Sequence, residues 1–155
     1  MLTVIGVEWL ASKAGRPWPV VEKDFSHRAV VDKLGVRPGD AVAFEGPADA
    51  SLRAQVLERA GRNQAQADEP PDVVLVWADA STDAVDTLAR WKTRIQPAGG
   101  IWLLTPKRSH AGYVDQRDLI LAGQQAGVVD NKTCSVSDTT SGIRFVIRRT
   151  DRPKP

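Results

Sequence analysis

Six residues carry polar chemistry at positions where it could act together: Glu45, Gly46, Asp79, Ser81, Lys107 and Ser109. Each follows closely on an apolar run, so two carboxylates, two hydroxyls, an ammonium and a flexible backbone position would gather at one end of a sheet. In open parallel sheets, ligands bind beyond the carboxyl ends of the strands, near the point where strand order reverses. The set would form a small-molecule crevice there. A plainer reading competes with it: Glu45 and Asp79 are solvated loop acids, and Ser81 or Thr82 caps the next helix. No residue is assigned a catalytic role.

Other chemistries are disfavoured by residue type. A phosphate cradle needs closely approaching backbone N–H groups; Pro47 removes one, and Glu45 and Asp49 add repulsion, so a nucleotide-hydrolysing P-loop is excluded. Cys134 is the single cysteine, and His27 and His110 are distant from it in sequence. It lies in an alternating strand pattern and reads as a buried structural thiol. One cysteine and two isolated histidines supply no metal-ligand cluster. Lys107, Arg108 and His110 form one basic group, and Arg144, Arg148, Arg149, Arg152 and Lys154 another. The second could meet nucleic acid or another acidic partner through counterion release, or it could be a solvated edge strand whose charges prevent sheet-to-sheet aggregation. No recognition helix, zinc finger or aromatic RNA-binding motif accompanies the charge, so nucleic acid is not the expected partner.

The elements that would position these residues follow from periodicity. A chain of 155 residues with 42% hydrophobic and 26% charged residues suits one soluble domain with its own core. A helix from His27 to Leu34, capped by Ser26 and stopped by Gly35, presents Ala29, Val30 and Leu34 on one face. Ala41 to Phe44 is a strand. Ala50 to Ala60 is a helix with Leu52, Val56 and Ala60 inward, closed by Gly61. Arg62 to Pro71 is loop, with at most a short strand at Gln64 to Ala67. Asp72 to Ala78 is a continuous apolar run, as in a parallel strand covered on both faces. Ala84, Leu88, Trp91 and Ile95 mark the next helix, and Ile101 to Thr105 the next buried strand. Asp115 caps a helix to Ala126 with Leu119, Ala122 and Ala126 inward, ended by Gly127. Val128 to Ser135 and Ile143 to Arg149 alternate as two strands around an Asp138 to Gly142 turn.

Residues 1–25 form a less regular N-terminal arm, and 151–155 a frayed basic tail, flanking a domain over 26–150. Trp77, Trp91 and Trp102 fall on core-facing patterns; Trp9 and Trp18 must be covered by the domain, a protein partner or a second copy of the chain. Met1 to Leu10 is too short to span a membrane, and Lys13 and Arg16 follow rather than precede it, the wrong order for a secretory signal. A cytoplasmic location with no membrane association is expected.

Parallel βα units ending in a hairpin resemble the class I methyltransferase fold, whose last strand is inserted antiparallel beside the central strands. Gln96 to Thr105 resembles that superfamily's K-P-G-G-x-L-x-L-x-x-P turn and strand, with Ala98 a departure. More specifically, residues 33 to 149 resemble a family of short, uncharacterised bacterial domains with a degenerate methyltransferase-like Rossmann fold. Its L-G-x-K-P-G-x-x-V start appears as Leu34 to Val42, and its D-V-V-L-L-F strand as Asp72 to Trp77. Its W-x-x-x-P-K-K exit appears as Trp102 to Arg108, and its D-x-x-W-S-G-L-R-F-V end as Asp138 to Val146, one residue shorter than the pattern after Asp138 and with Thr140 in place of Trp.

The resemblance implies a three-layer α/β domain: a trimmed, mostly parallel sheet with a C-terminal antiparallel hairpin. Where S-adenosylmethionine enzymes carry a G-x-G-x-G-like turn, this chain has Glu45-Gly46-Pro47-Ala48-Asp49. About ten residues separate Gly61 from Asp72, too few for a second strand, a helix and a third strand. The lost edge is the one that carries the ribose-binding acid, leaving only Asp68 and Glu69 nearby. The expectation is therefore a non-catalytic interaction or regulatory module with no cofactor. The alternatives are an enzyme that binds S-adenosylmethionine or a nucleotide through an altered loop, and a nucleic-acid-binding protein.

Overall fold

The computed structural model describes residues 30–153. The proposed arm, Ser26, His27, Ala29, Trp9 and Trp18 lie outside that range. Residues 30–33 are helical and stop at Gly35, whose φ of +75° is the left-handed conformation that glycine adopts without strain.

Five strands and three helices follow in the order β1 (Val42–Glu45), α1 (Ala50–Ala60), β2 (Val73–Trp77), α2 (Ala84–Lys92), β3 (Gly100–Pro106), α3 (Gln116–Ala126), β4 (Val129–Ser135) and β5 (Thr140–Val146). They form one sheet of order β1-β2-β3-β5-β4. The first three strands are parallel; β5 inserts antiparallel between β3 and β4. The sheet is thus trimmed on the β1 side and closed by the expected hairpin.

Strand alternation sorts the core into two layers. Val74, Val76, Ile101, Leu103, Ile143 and Phe145 face α2 and α3, against Leu88, Trp91, Ile95 and Leu119. Val42, Val73, Leu75, Trp102 and Leu104 face α1 and the first helical residues, against Leu52, Val56 and Leu34. Trp102 is fully buried, and its indole Nε1 donates to the Leu34 carbonyl at 3.0 Å. That bond satisfies the one polar atom which would make a core tryptophan costly.

Between α1 and β2 the chain passes round the outside of β1. Ala41 O accepts from Asp72 N–H on the β2 side, whereas Val42 O points the other way and accepts from Ala65 N–H at 2.8 Å. Farther along, Ala67 O accepts from Arg94 on the α2 face at 3.2 Å. Arg62 and Glu69 close this loop with an ion pair of 2.6 Å. Gln64 to Ala67 forms no strand.

Four expectations need correction. The cap of α2 is Asp83, which accepts from Asp86 N–H, and not Ser81 or Thr82. Ser81 and Thr82 instead bond to Asp79, so the chain makes one more turn before the helix begins. The hairpin turn falls earlier than the Asp138 to Gly142 placement: Ser137 Oγ accepts from the Thr139 and Thr140 N–H groups, and β5 already begins at Thr140. That strand is interior rather than an edge; the exposed edge is β4, blunted by a bulge between Asp130 and Lys132. Trp91 and Trp102 are core residues as expected, but Trp77 is only half-buried, stacked on Phe44 with ring centroids 6.2 Å apart.

Candidate functional site

The end of β1 is held by a network that sequence spacing does not reveal. Glu45 accepts from Trp91 Nε1 at 2.7 Å and from Arg90 Nη2 at 3.1 Å, both on α2. Arg90 also pairs with Asp86 one turn earlier, at 2.9 Å. Burial pushes the Glu45 carboxyl up, but hydrogen bonds from Arg90 and Trp91, with the Arg90 charge, outweigh it and hold the group below the ordinary range. The Asp86–Arg90 pair could be read from its i,i+4 spacing; the Glu45 link, from a residue 45 positions away, could not.

The sign of that shift fixes a pH effect. A carboxyl depressed in the folded state contributes stability above its unfolded value, about 4.3, and loses it as pH falls through the lower folded value. Arg90 is half-exposed, so the contribution is about 1 kcal/mol or less. Glu45→Gln is expected to flatten the loss of stability between about pH 5 and pH 3, read as urea midpoints. An acid-side slope equal to the parent's would rule out this role for Glu45.

After Glu45 the chain turns at Gly46, with φ +89°; a Cβ there would overlap the Trp77 carbonyl oxygen. The start of α1 is already occupied, because the Asp49 carboxylate accepts from Ser51 N–H at 2.9 Å and Leu52 N–H at 3.2 Å. An anion approaching those N–H groups would meet a resident carboxylate.

Beyond β2, Asp79 accepts from both the hydroxyl and the backbone N–H of Ser81, and these bonds hold its carboxyl below the usual range. The loop after β3 folds back onto this turn: Ala80 N–H donates to Gly112 O at 3.0 Å, and a Cβ on Gly112 would come within 2.9 Å of Asp79 Cβ. Gly112 is a contact that sequence reading did not single out; its place in a loop between a strand and a capped helix was the sole signal.

Beyond β3, Lys107 turns toward the hairpin and its Nζ donates to Ser135 Oγ at 2.7 Å. Ser109 sits at φ +76°, the one non-glycine residue at positive φ among the described residues. Lys107 lines a cleft of about 380 Å³ between α3 and the hairpin, together with Arg108, Tyr113 and Cys134. Cys134 is half-buried rather than buried as expected, and the burial it has pushes the thiol up, against the opposite pull of Lys33 and Lys132. The six candidates therefore fall into three local arrangements, with Glu45 and Gly46 at β1, Asp79 and Ser81 at β2, and Lys107 and Ser109 beside β3. Among the described residues, no group of three or more His, Cys, Asp or Glu side chains could hold a metal ion. Nor is any described helix long and apolar enough to cross a membrane.

Strand order, the two helical layers and the inserted antiparallel strand define a methyltransferase-like Rossmann domain. The chain belongs to the family described as protein of unknown function (DUF3052), which matches residues 31–149. It is 29% identical over 112 residues to uncharacterized protein Mb2263c of Mycobacterium bovis, covering 68% of this chain and 71% of that protein. Among solved structures it is similar to a SAM dependent methyltransferase from Aquifex aeolicus, with a TM-score of 0.61 and 11% identity over 86% of this chain and 100% of that one. It is also similar to the mitomycin 7-O-methyltransferase MmcR, with a TM-score of 0.58 and 13% identity over 80% of this chain. The chain spans 54% of that enzyme's length. At these identities the structural likeness establishes the fold, and fold alone does not establish a reaction.

Proposed function

We propose that this domain is a non-catalytic, methyltransferase-like module that acts by contact with a protein partner or a second copy of itself. The observation that carries this reading is the position of β1 at the edge of the sheet. In the S-adenosylmethionine enzymes that the chain resembles, the acid that binds the cofactor ribose belongs to the strands beyond that edge, and here a loop lies there instead. Asp49 on the start of α1 and Glu45 on Arg90 support the same reading, since both carboxylates already have partners where a cofactor would seek donors or an acceptor. The proposed contact surface is the arm of residues 1–25 with Trp9 and Trp18, which lie outside the family-matched segment. A cytoplasmic setting suits the free thiol of Cys134.

The test is a melting titration of the full-length chain with S-adenosylmethionine and S-adenosylhomocysteine. A ligand at 100 times its dissociation constant adds about 2.7 kcal/mol by mass action, a readily visible shift. None is expected. A saturable shift with either compound would favour the cofactor-binding enzyme instead. Association by the arm is checked by solution mass and partner capture, which should fall when Trp9 and Trp18 are replaced by alanine; unchanged association would remove the arm from the proposal.

A further inference from the structure

A second cluster lies at the opposite end of the parallel strands from Glu45 and Asp79. Lys33, Arg37, Lys132 and Arg144 line a cleft of about 420 Å³ with Arg59 and Asp32. Its one carboxylate is engaged, because Asp32 accepts from Arg59 Nη1 at 2.7 Å. Among the described residues, no ion pair involves the other four cations.

Arg144 is the centre of this cluster and the fold makes room for it. It lies on the interior strand β5, in register with Trp102 on one side and Lys132 on the other, and its side chain is half-buried on the α1 face. The guanidinium lies across Gly100, where any Cβ would overlap it. Burial, and after it the charges of Arg152 and Arg37, pull its pKa down, as follows for a cation partly removed from water with like charges nearby. A partly desolvated guanidinium that meets no carboxylate among the described residues is unfavourable until an anion completes it.

The chemistry of the completing anion follows from the donors. A guanidinium presents a planar fork that matches phosphate oxygens in pairs, and lysines around it add point charge. Four cations that take no ion-pair partner among the described residues suit a dianion better than a single carboxylate, and the volume is within the range of small-ligand sites. We propose that this cleft binds the phosphate group of a small anionic ligand, with Arg144 as the fork and Lys33, Arg37 and Lys132 as the surrounding charges.

The site is separate from the place where S-adenosylmethionine would sit, so this proposal does not rest on the non-catalytic reading. Its test is calorimetric and thermal titration of the full-length chain with inorganic phosphate, AMP and adenosine, at ionic strength matched with chloride. Phosphate and AMP should bind saturably and adenosine should not. Equal affinities would identify free phosphate as the ligand, and tighter AMP binding a phosphate ester; both support the site. Arg144→Gln should weaken binding on the order of tenfold or more, and Arg144→Lys, which keeps charge without the fork, by less. If Arg144→Gln fails to fold, the exposed pair Arg37→Gln and Lys132→Gln carries the same test. The absence of a saturable response to either anion, affinity unchanged in these variants, or binding of duplex DNA without either small anion would each overturn the proposal.

Discussion

Replacing Trp102 with alanine is expected to destabilise the domain by about 3–5 kcal/mol, much of what holds a chain of this size folded. The indole is fully buried between β3 and the residues that precede β1, so its removal leaves a cavity that the sheet cannot collapse to fill. It also leaves the Leu34 carbonyl without its donor. Trp102→Phe separates the two terms: it keeps most of the ring volume, loses the hydrogen bond, and should cost about 1–3 kcal/mol. Urea midpoints with an unchanged slope provide the measurement. Equal losses for Phe and Ala would show that the hydrogen bond dominates, and a loss below about 1 kcal/mol for Ala would contradict the packing described.

Gly46→Ala is expected to cost about 2–4 kcal/mol, from a side chain held at positive φ and from steric overlap. Gly39 supplies the control. It has a φ of +93° but open space around its Cβ position, whereas a Cβ at Gly46 runs into the Trp77 backbone. Gly39→Ala should therefore show the backbone cost alone, about 1–2 kcal/mol, and the excess at Gly46 should measure the contact between the ends of β1 and β2. Indistinguishable losses in thermal melts of the two variants would mean that β1 and β2 do not approach so closely there.

How much of this was legible in the chain depended on whether the cause was local. The helix Ala50–Ala60 could be read to the residue because its inward positions repeat at helical spacing and glycine follows it. β2 and β3 could be read because both faces are covered and the run is apolar throughout. The start of α2 was misplaced because Ser81, Thr82 and Asp83 are all competent caps; the choice is made by Asp79, whose carboxylate takes the Ser81 N–H first. β5 was misplaced because Gly142 reads as a turn residue. In the sheet it is a strand position, with a Cβ site that would press on Trp102 and Leu104. The candidate site was legible as a list of strand ends but not as a geometry. Glu45 takes Arg90 and Lys107 takes Ser135, both far away in the chain, and Asp79, though bonded to the nearby Ser81, is packed against the distant Gly112.

The path of residues 62–71 has a consequence for handedness. β1 to β2 and β2 to β3 step the same way across the sheet, yet α1 and α2 lie on opposite faces. If β2–α2–β3 has the right hand that nearly all such connections share, α1 is on the wrong face for a direct step to β2. It is on the correct face for a step in the other direction, toward the vacant side. The loop resolves the conflict by circling β1, so that the chain reaches β2 from the α2 face without a left-handed crossing. In doing so it occupies the start of the hydrogen-bonding edge on which further strands would be added, bonding at Ala65 the Val42 carbonyl that a neighbouring strand would use. The helix is oriented for a larger sheet, and the loop acts as the stop that ends sheet growth at β1.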